Sequence, residues 1–365
     1  MIYWAILIVF GVLYPLTHVK VKGGSVVSSD GKKLYMILVA LTLILTAGLR
    51  SSKVGADTVM YQRIFDWAAE GSSFTKEYFS WHGGGTEPLF YFFTYYLSKV
   101  VGFNTYLTIV ATISIAPVIY MIYKYSRHVY FSLLLYIGFG YFAFAMNGIR
   151  QAIAIGICML AFDATIEKKL KKFIALILIA VLFHKTALLF VPVYWLANIK
   201  NSKDFKYIIA ISLIAVFVFR TALYKFINLF ARQSFELASE NQGGYRMFLV
   251  MLFTLVLGWY YYSRFMKKGD VKRISQQNSL SWLLLLMLSV ATLMWPIANL
   301  NAELNRMYYY YHIFVFLYLP NLVKSLNRKE RWILIIIFTA ISCYYLQSYI
   351  IGGELNYSPY ILFWK

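Results

Sequence analysis

The sequence predicts an all-α, polytopic transmembrane helical bundle of about 10–12 membrane segments, some of them re-entrant or interfacial. Three observations predict it. Of 365 residues, 61% are hydrophobic and only 14% are charged, a balance far from that of a soluble domain. Apolar stretches recur along the whole chain, at 2–19, 34–49, 104–123, 129–146, 279–298, 307–323 and 332–350, and a helical span needs ~20 mostly apolar residues. Basic residues gather in the short segments 20–33, 124–128, 167–172, 200–206, 264–273 and 324–331, which hold 22 of the 35 Lys and Arg but 5 of the 15 Asp and Glu. No soluble domain fits between the spans, so the chain reads as a single transmembrane domain, 1–365.

The same pattern excludes other classes. A net charge of +20 invites a nucleic-acid reading, but the charge sits in loops between spans and marks topology rather than a nucleic-acid footprint. Cys158 and Cys343 both fall within spans, so no disulfide framework is expected, and no Cys/His spacing fits zinc. The first apolar stretch has no basic residues ahead of it, and Lys20 and Lys22 follow it. It is therefore expected to remain as a span and not to be cleaved as a signal.

Orientation follows from the basic segments, which the positive-inside rule places on the cytoplasmic side. Two crossings must then separate 128 from 167, so "MNGIRQ" at 146–151 turns near the outer face. Arg150 interrupts an apolar run at 142–160. The turn moves it away from the bilayer centre, where a charge costs at least ~2.5–3.5 kcal/mol. Between 33 and 124 only two of the runs 34–49, 88–101 and 104–123 can cross. The weakest, "PLFYFFTYYLSKVV", is short and rich in tyrosine and reads as an interfacial or re-entrant helix. The stretch 172–198 either rises and returns, or crosses once while 207–231 dips. Both readings lift His184 roughly 18 Å above Lys172, into the outer half of the membrane.

Two outer-face loops result, 50–103 and 220–245. In the first, Asp57 or Thr58 is placed to cap a helix over about 58–69 that Gly71 ends. Met60, Ile64 and Trp67 share one face of it, as in a helix lying on the membrane. Glu87 precedes Pro88, a favourable first helical residue, and "GGG" at 83–85 supplies a flexible link.

Arg50, Asp57, Glu87, Arg150, Gln151, His184 and Arg306 come from five separated segments, and the topology brings all of them to the outer leaflet. Converging guanidinium groups suit a diphosphate, because each is planar, permanently charged and bidentate to phosphate oxygens. A neighbouring histidine or carboxylate can accept a proton from a hydroxyl nucleophile. Plainer roles compete at every position. Arg50 can be a snorkelling anchor, Asp57 a helix cap, Arg150 a structural ion pair and His184 a satisfied core histidine. Glu303 and Arg306 can pair at i, i+3, and the tyrosine runs "MYYYYHIF" and "WYYYS" fit interfacial belts.

Arg50 followed by "VGADTVMYQRIF", then "EPLFYFF", "MNGIRQAIAIGICMLAF", "EKKLKKFIALILIAVLFHKTALLFVPVY" and "NRMYYYY" appear in that order over about 50–311. In this the chain resembles the Wzy-like polysaccharide polymerases of the EpsG-type branch, with Ala56 and Tyr61 fitting beside the first aspartate. The resemblance implies a GT-C-like integral membrane glycosyltransferase at the outer face of the bacterial inner membrane. It implies polymerisation of oligosaccharide repeat units carried on undecaprenyl diphosphate, without nucleotide sugar, cofactor or catalytic metal. The implied partners are that lipid-linked oligosaccharide as donor and acceptor, membrane lipids and a chain-length regulator protein.

On this reading Arg150 and Arg306 hold the donor diphosphate, with Arg50 as a third contact and Asn147, Gln151 and Lys185 beside them. The reaction is an inverting displacement whose departing diphosphate needs fixed positive charge. His184 is the first choice as general base, Asp57 and Glu87 are the alternatives, and Tyr61, Trp67 and Trp81 are placed to stack on sugars. Two other functions stay open: a flippase or transporter of a lipid-linked glycan, and a ligase that moves the finished glycan to a different acceptor.

The orientation is open to a direct check. A cysteine placed at Ser72 should react with an impermeant thiol reagent added outside the cell, and one at Ser325 should not. Reversed labelling would move every candidate residue to the cytoplasmic side.

Overall fold

Backbone groups in hydrocarbon can be satisfied only within the chain itself, and in the computed structural model the apolar runs are accordingly helical. The structure describes residues 2–21, 24–80, 87–200, 202, 204–229, 244–267, 277–301, 304–352 and 356–364. In chain order the helices are α1 (Ile2–Leu13), α2 (Ser29–Gly48), α3 (Thr58–Glu70), α4 (Phe74–Ser80), α5 (Pro88–Ser98), α6 (Phe103–Tyr125), α7 (Val129–Gly138), α8 (Tyr141–Asn147) and α9 (Ile149–Ile166). There follow α10 (Leu170–Phe183), α11 (Val193–Leu196), α12 (Phe205–Leu229), α13 (Gly244–Lys267), α14 (Gln277–Ala298), α15 (Tyr309–His312), α16 (Val315–Ser325) and α17 (Arg328–Ile351). Among the described residues seven helices, α2, α6, α9, α12, α13, α14 and α17, are long and apolar enough to cross a membrane, and the bent pair α7–α8 brings the number to eight. Ile2–Thr17 and Lys185–Leu196 are shorter apolar helical segments. The chain is a multi-pass helical membrane protein.

The helices form two compact units, one of Met1–Leu188 with Leu319–Lys365, the other of Leu189–Tyr318. In the second unit α14 packs against α11, α12, α13 and α15. Its Trp282 donates to the Ile199 carbonyl at 2.9 Å and meets the rings of Trp259 and Tyr262. In the first unit α9 is the most deeply buried span and packs against α6, α8 and α10.

Several expectations are refined. Two antiparallel strands, His18–Val21 and Gly24–Val27, overlap the start of the basic segment 20–33, where β-branched valines favour extended backbone. Helix α12 is continuous to Leu229, so the described part of 207–231 does not dip. It is 172–198 that breaks, at His184, into α10 and shorter turns. The run 307–323 is not one helix: around Tyr308–Phe314 the backbone tightens into i→i+3 bonds, such as Tyr311 N to Tyr308 O at 3.1 Å. Residues 220–229 of the proposed second loop belong to α12, and 230–243 lie outside the described residues, as do Trp81, the three glycines at 83–85 and Glu303. The inward face of α3 is Thr58, Tyr61, Phe65 and Ala68, while Met60 is exposed.

The first unit has two chemically different ends. Lys32, Lys124, Asp163 and Glu167 mark one. There Asp163 accepts hydrogen bonds from Lys124 Nζ and the Tyr125 hydroxyl, both at 2.6 Å. The other end is set by Arg50, which follows α2 and is 2% exposed. Its guanidinium donates to the carbonyls of Val54 at 3.3 Å, Met146 at 2.7 Å and Ala47. The loop 51–57 is thereby tied to the end of α8. Gly55 makes the tight turn in it: its φ is +92°, and a Cβ there would sit 2.7 Å from Thr58 Oγ1. The C-terminal segment closes the same end. Ser51 N donates to Ile361 O at 2.8 Å, Gly55 N to Asn356 O at 3.0 Å and the Tyr360 hydroxyl to Thr46 O at 2.7 Å.

Replacing Arg50 by Met should leave these carbonyls without a donor. A buried unsatisfied group costs ~1–3 kcal/mol, so the thermal midpoint of the purified protein should drop by the equivalent of several kcal/mol. An unchanged midpoint would show that Arg50 is not needed to hold this end together.

Candidate active site

Three side chains expected from the sequence meet at the Arg50 end of the first unit, although nothing in their spacing announces it. Glu87 and Arg150 are 63 positions apart, and Glu87 and His184 are 97. One Glu87 carboxylate oxygen bonds Arg150 Nη1 and the other bonds His184 Nδ1. The elements that deliver them follow from local sequence. Pro88 cannot donate a backbone hydrogen bond and starts α5, leaving Glu87 at the helix boundary. Gly148 separates α8 from α9, which opens at Ile149 and places Arg150 in its first turn. Helix α10 ends at Phe183, and His184 leaves it in extended backbone, with φ −159° and ψ 115°.

Glu87 itself adopts left-handed backbone, with φ 63° and ψ 56°. For a residue with a Cβ this costs roughly 1–2 kcal/mol and persists only where surrounding contacts over-determine it. Here the two bonds to its carboxylate do so. The Glu87 side chain is 5% exposed, whereas His184 and Arg150 retain 20% and 31%, so the acid is sealed beneath two groups that remain reachable.

Aromatic packing fixes the guanidinium. The centroid of the Phe90 ring lies 5.9 Å from Arg150 Cζ, in the range of a cation–π contact, and Tyr61 packs edge-on to Phe90 at 6.0 Å. The Tyr61 phenol oxygen also accepts from Arg150, while burial raises its pKa and keeps it neutral. Arg150 Nε is buried and has no hydrogen-bond partner among the described residues. Burial alone would push the Glu87 carboxyl up. The hydrogen bond from His184 and the charge of Arg150 outweigh it and hold Glu87 below its usual range.

The other expected residues are placed as follows. Asn147 is buried, and its Oδ1 accepts from Asp57 N at 2.8 Å, so it braces the 51–57 loop. Asp57 occupies the N-cap position of α3, but its side chain makes no capping bond. Gln151 is buried one residue after Arg150, and Lys185 is exposed one residue after His184. Arg50 is committed to backbone carbonyls. Arg306 closes a short 3-10 turn, Leu304–Arg306, in the second unit. Phe90 was not singled out from the sequence; its position three residues after Glu87 on α5 is the available signal. Among the described residues no three His, Cys, Asp or Glu side chains gather into a metal-binding group.

A multi-pass helical bundle with a carboxylate shared between an arginine and a histidine at one end defines an integral membrane protein with acid–base and anion-binding groups in one place. The EpsG family matches residues 33–362, and the chain belongs to that family, whose members are membrane proteins of the polysaccharide-polymerase type. Neither the curated proteins nor the solved structures give a match.

The Glu87 arrangement has a pH signature. A carboxylate with a depressed pKa contributes stability that is present above its unfolded value and lost as pH falls through the folded one. The unfolded reference is 4.5. The thermal midpoint of wild type minus that of Glu87→Gln should therefore be positive and level at neutral pH and should shrink as pH drops below 4.5. A difference independent of pH would show that Glu87 is not ionised in the folded protein.

Proposed function

We propose that this protein is a glycosyltransferase that polymerises lipid-linked oligosaccharide repeat units. It moves a growing glycan from undecaprenyl diphosphate onto a sugar hydroxyl of the next lipid-linked unit, with its active site on the outer face of the bacterial inner membrane. The observation that carries this reading is the Glu87 carboxylate held between Arg150 and His184 in a chain of the EpsG family. Glu87 accepts a hydrogen bond from His184 Nδ1–H, which leaves Nε2 as the basic nitrogen. Nε2 takes the proton of the acceptor hydroxyl as its oxygen bonds to the anomeric carbon. The bond from that carbon to the diphosphate oxygen breaks, and its electron pair stays with the diphosphate. Arg150 is placed where that negative charge develops, with its side chain 31% exposed.

In this scheme Tyr61 and Phe90 orient the Arg150 guanidinium. Asn147 and Arg50 hold the loop and helix junction that carry it, and Gln151, Lys185 and Asp57 line the approach. Arg306 is assigned to the diphosphate by family resemblance. The outward orientation is supported by the basic segments 20–33, 124–128, 167–172 and 324–331, which belong to the first unit and contribute the cations of the end away from Arg150.

The test is polymer ladder formation by purified protein supplied with a single lipid-linked repeat unit. Arg150→Lys keeps the charge but loses the planar fork. It should insert normally and elongate at least ~10²-fold more slowly, the worth of one transition-state donor. His184→Ala should abolish elongation while donor lipid still binds. Near-normal ladders from both variants would overturn these assignments. Translocation without bond formation would make the protein a flippase, and reaction only on addition of a foreign acceptor would make it a ligase.

A further inference from the structure

At the basic end of the first unit lies a cavity of about 320 Å³, lined by Tyr14, Thr17, Lys32, Ser126, Arg127 and Lys324 among others. It forms where the turn Tyr14–Thr17, the start of α2, the α6–α7 junction and the end of α16 come together. Three of its lining groups are cations and none is a carboxylate.

Elsewhere at this end part of the positive charge is paired with acids. Lys124 pairs with Asp163 at 2.6 Å and Glu167 at 3.2 Å, and Lys169 pairs with Glu167 at 3.0 Å. The cavity differs. Lys32 Nζ donates to a neutral acceptor, the Tyr123 carbonyl, at 2.7 Å. The side chains of Arg127 and Lys324 make no hydrogen bond or ion pair among the described residues, and their like charges bear on each other. Arg331 adds a further positive charge beside them while donating to the carbonyls of Val323 and Leu326. His128 stacks on Tyr14 with ring centroids 5.6 Å apart. Burial, then Lys324 and Arg331, push its pKa down to about 4, so it is neutral and supplies no charge of either sign. The hydroxyls are already engaged, Thr17 with the Tyr14 carbonyl at 2.8 Å and Ser126 with Ser132 at 2.6 Å. Asp30, the acid closest in sequence to Lys32, is exposed in the first turn of α2. What the cavity lacks is an anion.

We propose that this cavity binds the phosphate headgroup of an anionic phospholipid from the surrounding leaflet. Basic pockets between membrane helices recognise such headgroups. The volume is at the lower edge of ligand pockets, ~300 Å³, which suits a headgroup and leaves the acyl chains outside. The helical segments that carry the lining residues also present exposed apolar side chains, Val12 and Leu16 on the α1 side and Leu34 and Ile37 on α2, as elements in contact with lipid do. The site lies at the end of the unit away from Glu87, Arg150 and His184 and is independent of the proposed reaction.

The test is native mass spectrometry of the full-length protein in neutral detergent, titrated with phosphatidylglycerol, phosphatidylcholine and inorganic phosphate. One phosphatidylglycerol should be retained with at least ~10-fold preference over phosphatidylcholine. The double variant Arg127→Gln/Lys324→Gln should lose that preference. Lys168→Gln/Lys171→Gln, which removes the same charge from exposed positions, should keep it, and so should the charge-conserving Arg127→Lys. Equal losses in the two double variants, or equal retention of the two lipids, would overturn the proposal. Displacement of the lipid by low-millimolar inorganic phosphate would assign the cavity to a soluble anion and overturn the lipid source. Circular dichroism of each variant separates lost binding from lost fold.

Discussion

One guanidinium organises the end of the bundle that carries the candidate site. Arg50 is buried and gathers carbonyls from three places: the end of its own helix, the following loop and the end of α8. Helix ends leave carbonyls without intrahelical partners, and at membrane depth water is a poor substitute. A single side chain with five donors answers that constraint, and a lysine, with one compact ammonium, would not span the same acceptors. Because Met146 is one of them, Arg50 also sets where Asn147 and Arg150 begin the descent of α9. Its part in the site is positional: it holds Arg150 in place without reaching out itself.

The site then rests on how one buried carboxylate is stabilised. Glu87 is nearly sealed and sits in backbone that a residue with a side chain avoids. Both features are unfavourable taken singly. Arg150 and His184 offset them together, and removing one partner of a buried charged group is typically worth 3–5 kcal/mol. The arrangement makes Glu87 acceptor to two donors, fixes the histidine tautomer and leaves both donors partly exposed toward one side. One carboxylate thus joins the candidate acid–base group to the candidate anion-binding group.

The two ends of the first unit handle charge by different means. At one, the acids Asp163 and Glu167 are surrounded by lysines and a tyrosine, and Glu167 is held down to about 2, chiefly by its bonds with Lys169 and Lys124. At the same end the Arg127–Lys324 cavity keeps its cations unneutralised. At the other end positive charge is buried against carbonyls, one carboxylate and aromatic faces. The first pattern follows from surface topology and loop composition. The second requires specific long-range partners.

Helical membrane architecture and the helical character of 88–98 were legible in the sequence, because hydropathy and the need for internal backbone hydrogen bonds leave few alternatives. Glu87, Arg150 and His184 were each visible as ionisable residues near helix ends in an apolar chain. Their meeting was not visible, since contacts between residues 63 and 97 positions apart depend on how α5, α9 and α10 pack, and periodicity within each helix carries no information about that. Tertiary structure likewise decided that 172–198 breaks at His184, that 307–323 is interrupted, and that Arg50 turns inward to carbonyls. In each case the deciding term is the satisfaction of a buried polar group by a partner remote in the chain, which local composition cannot specify.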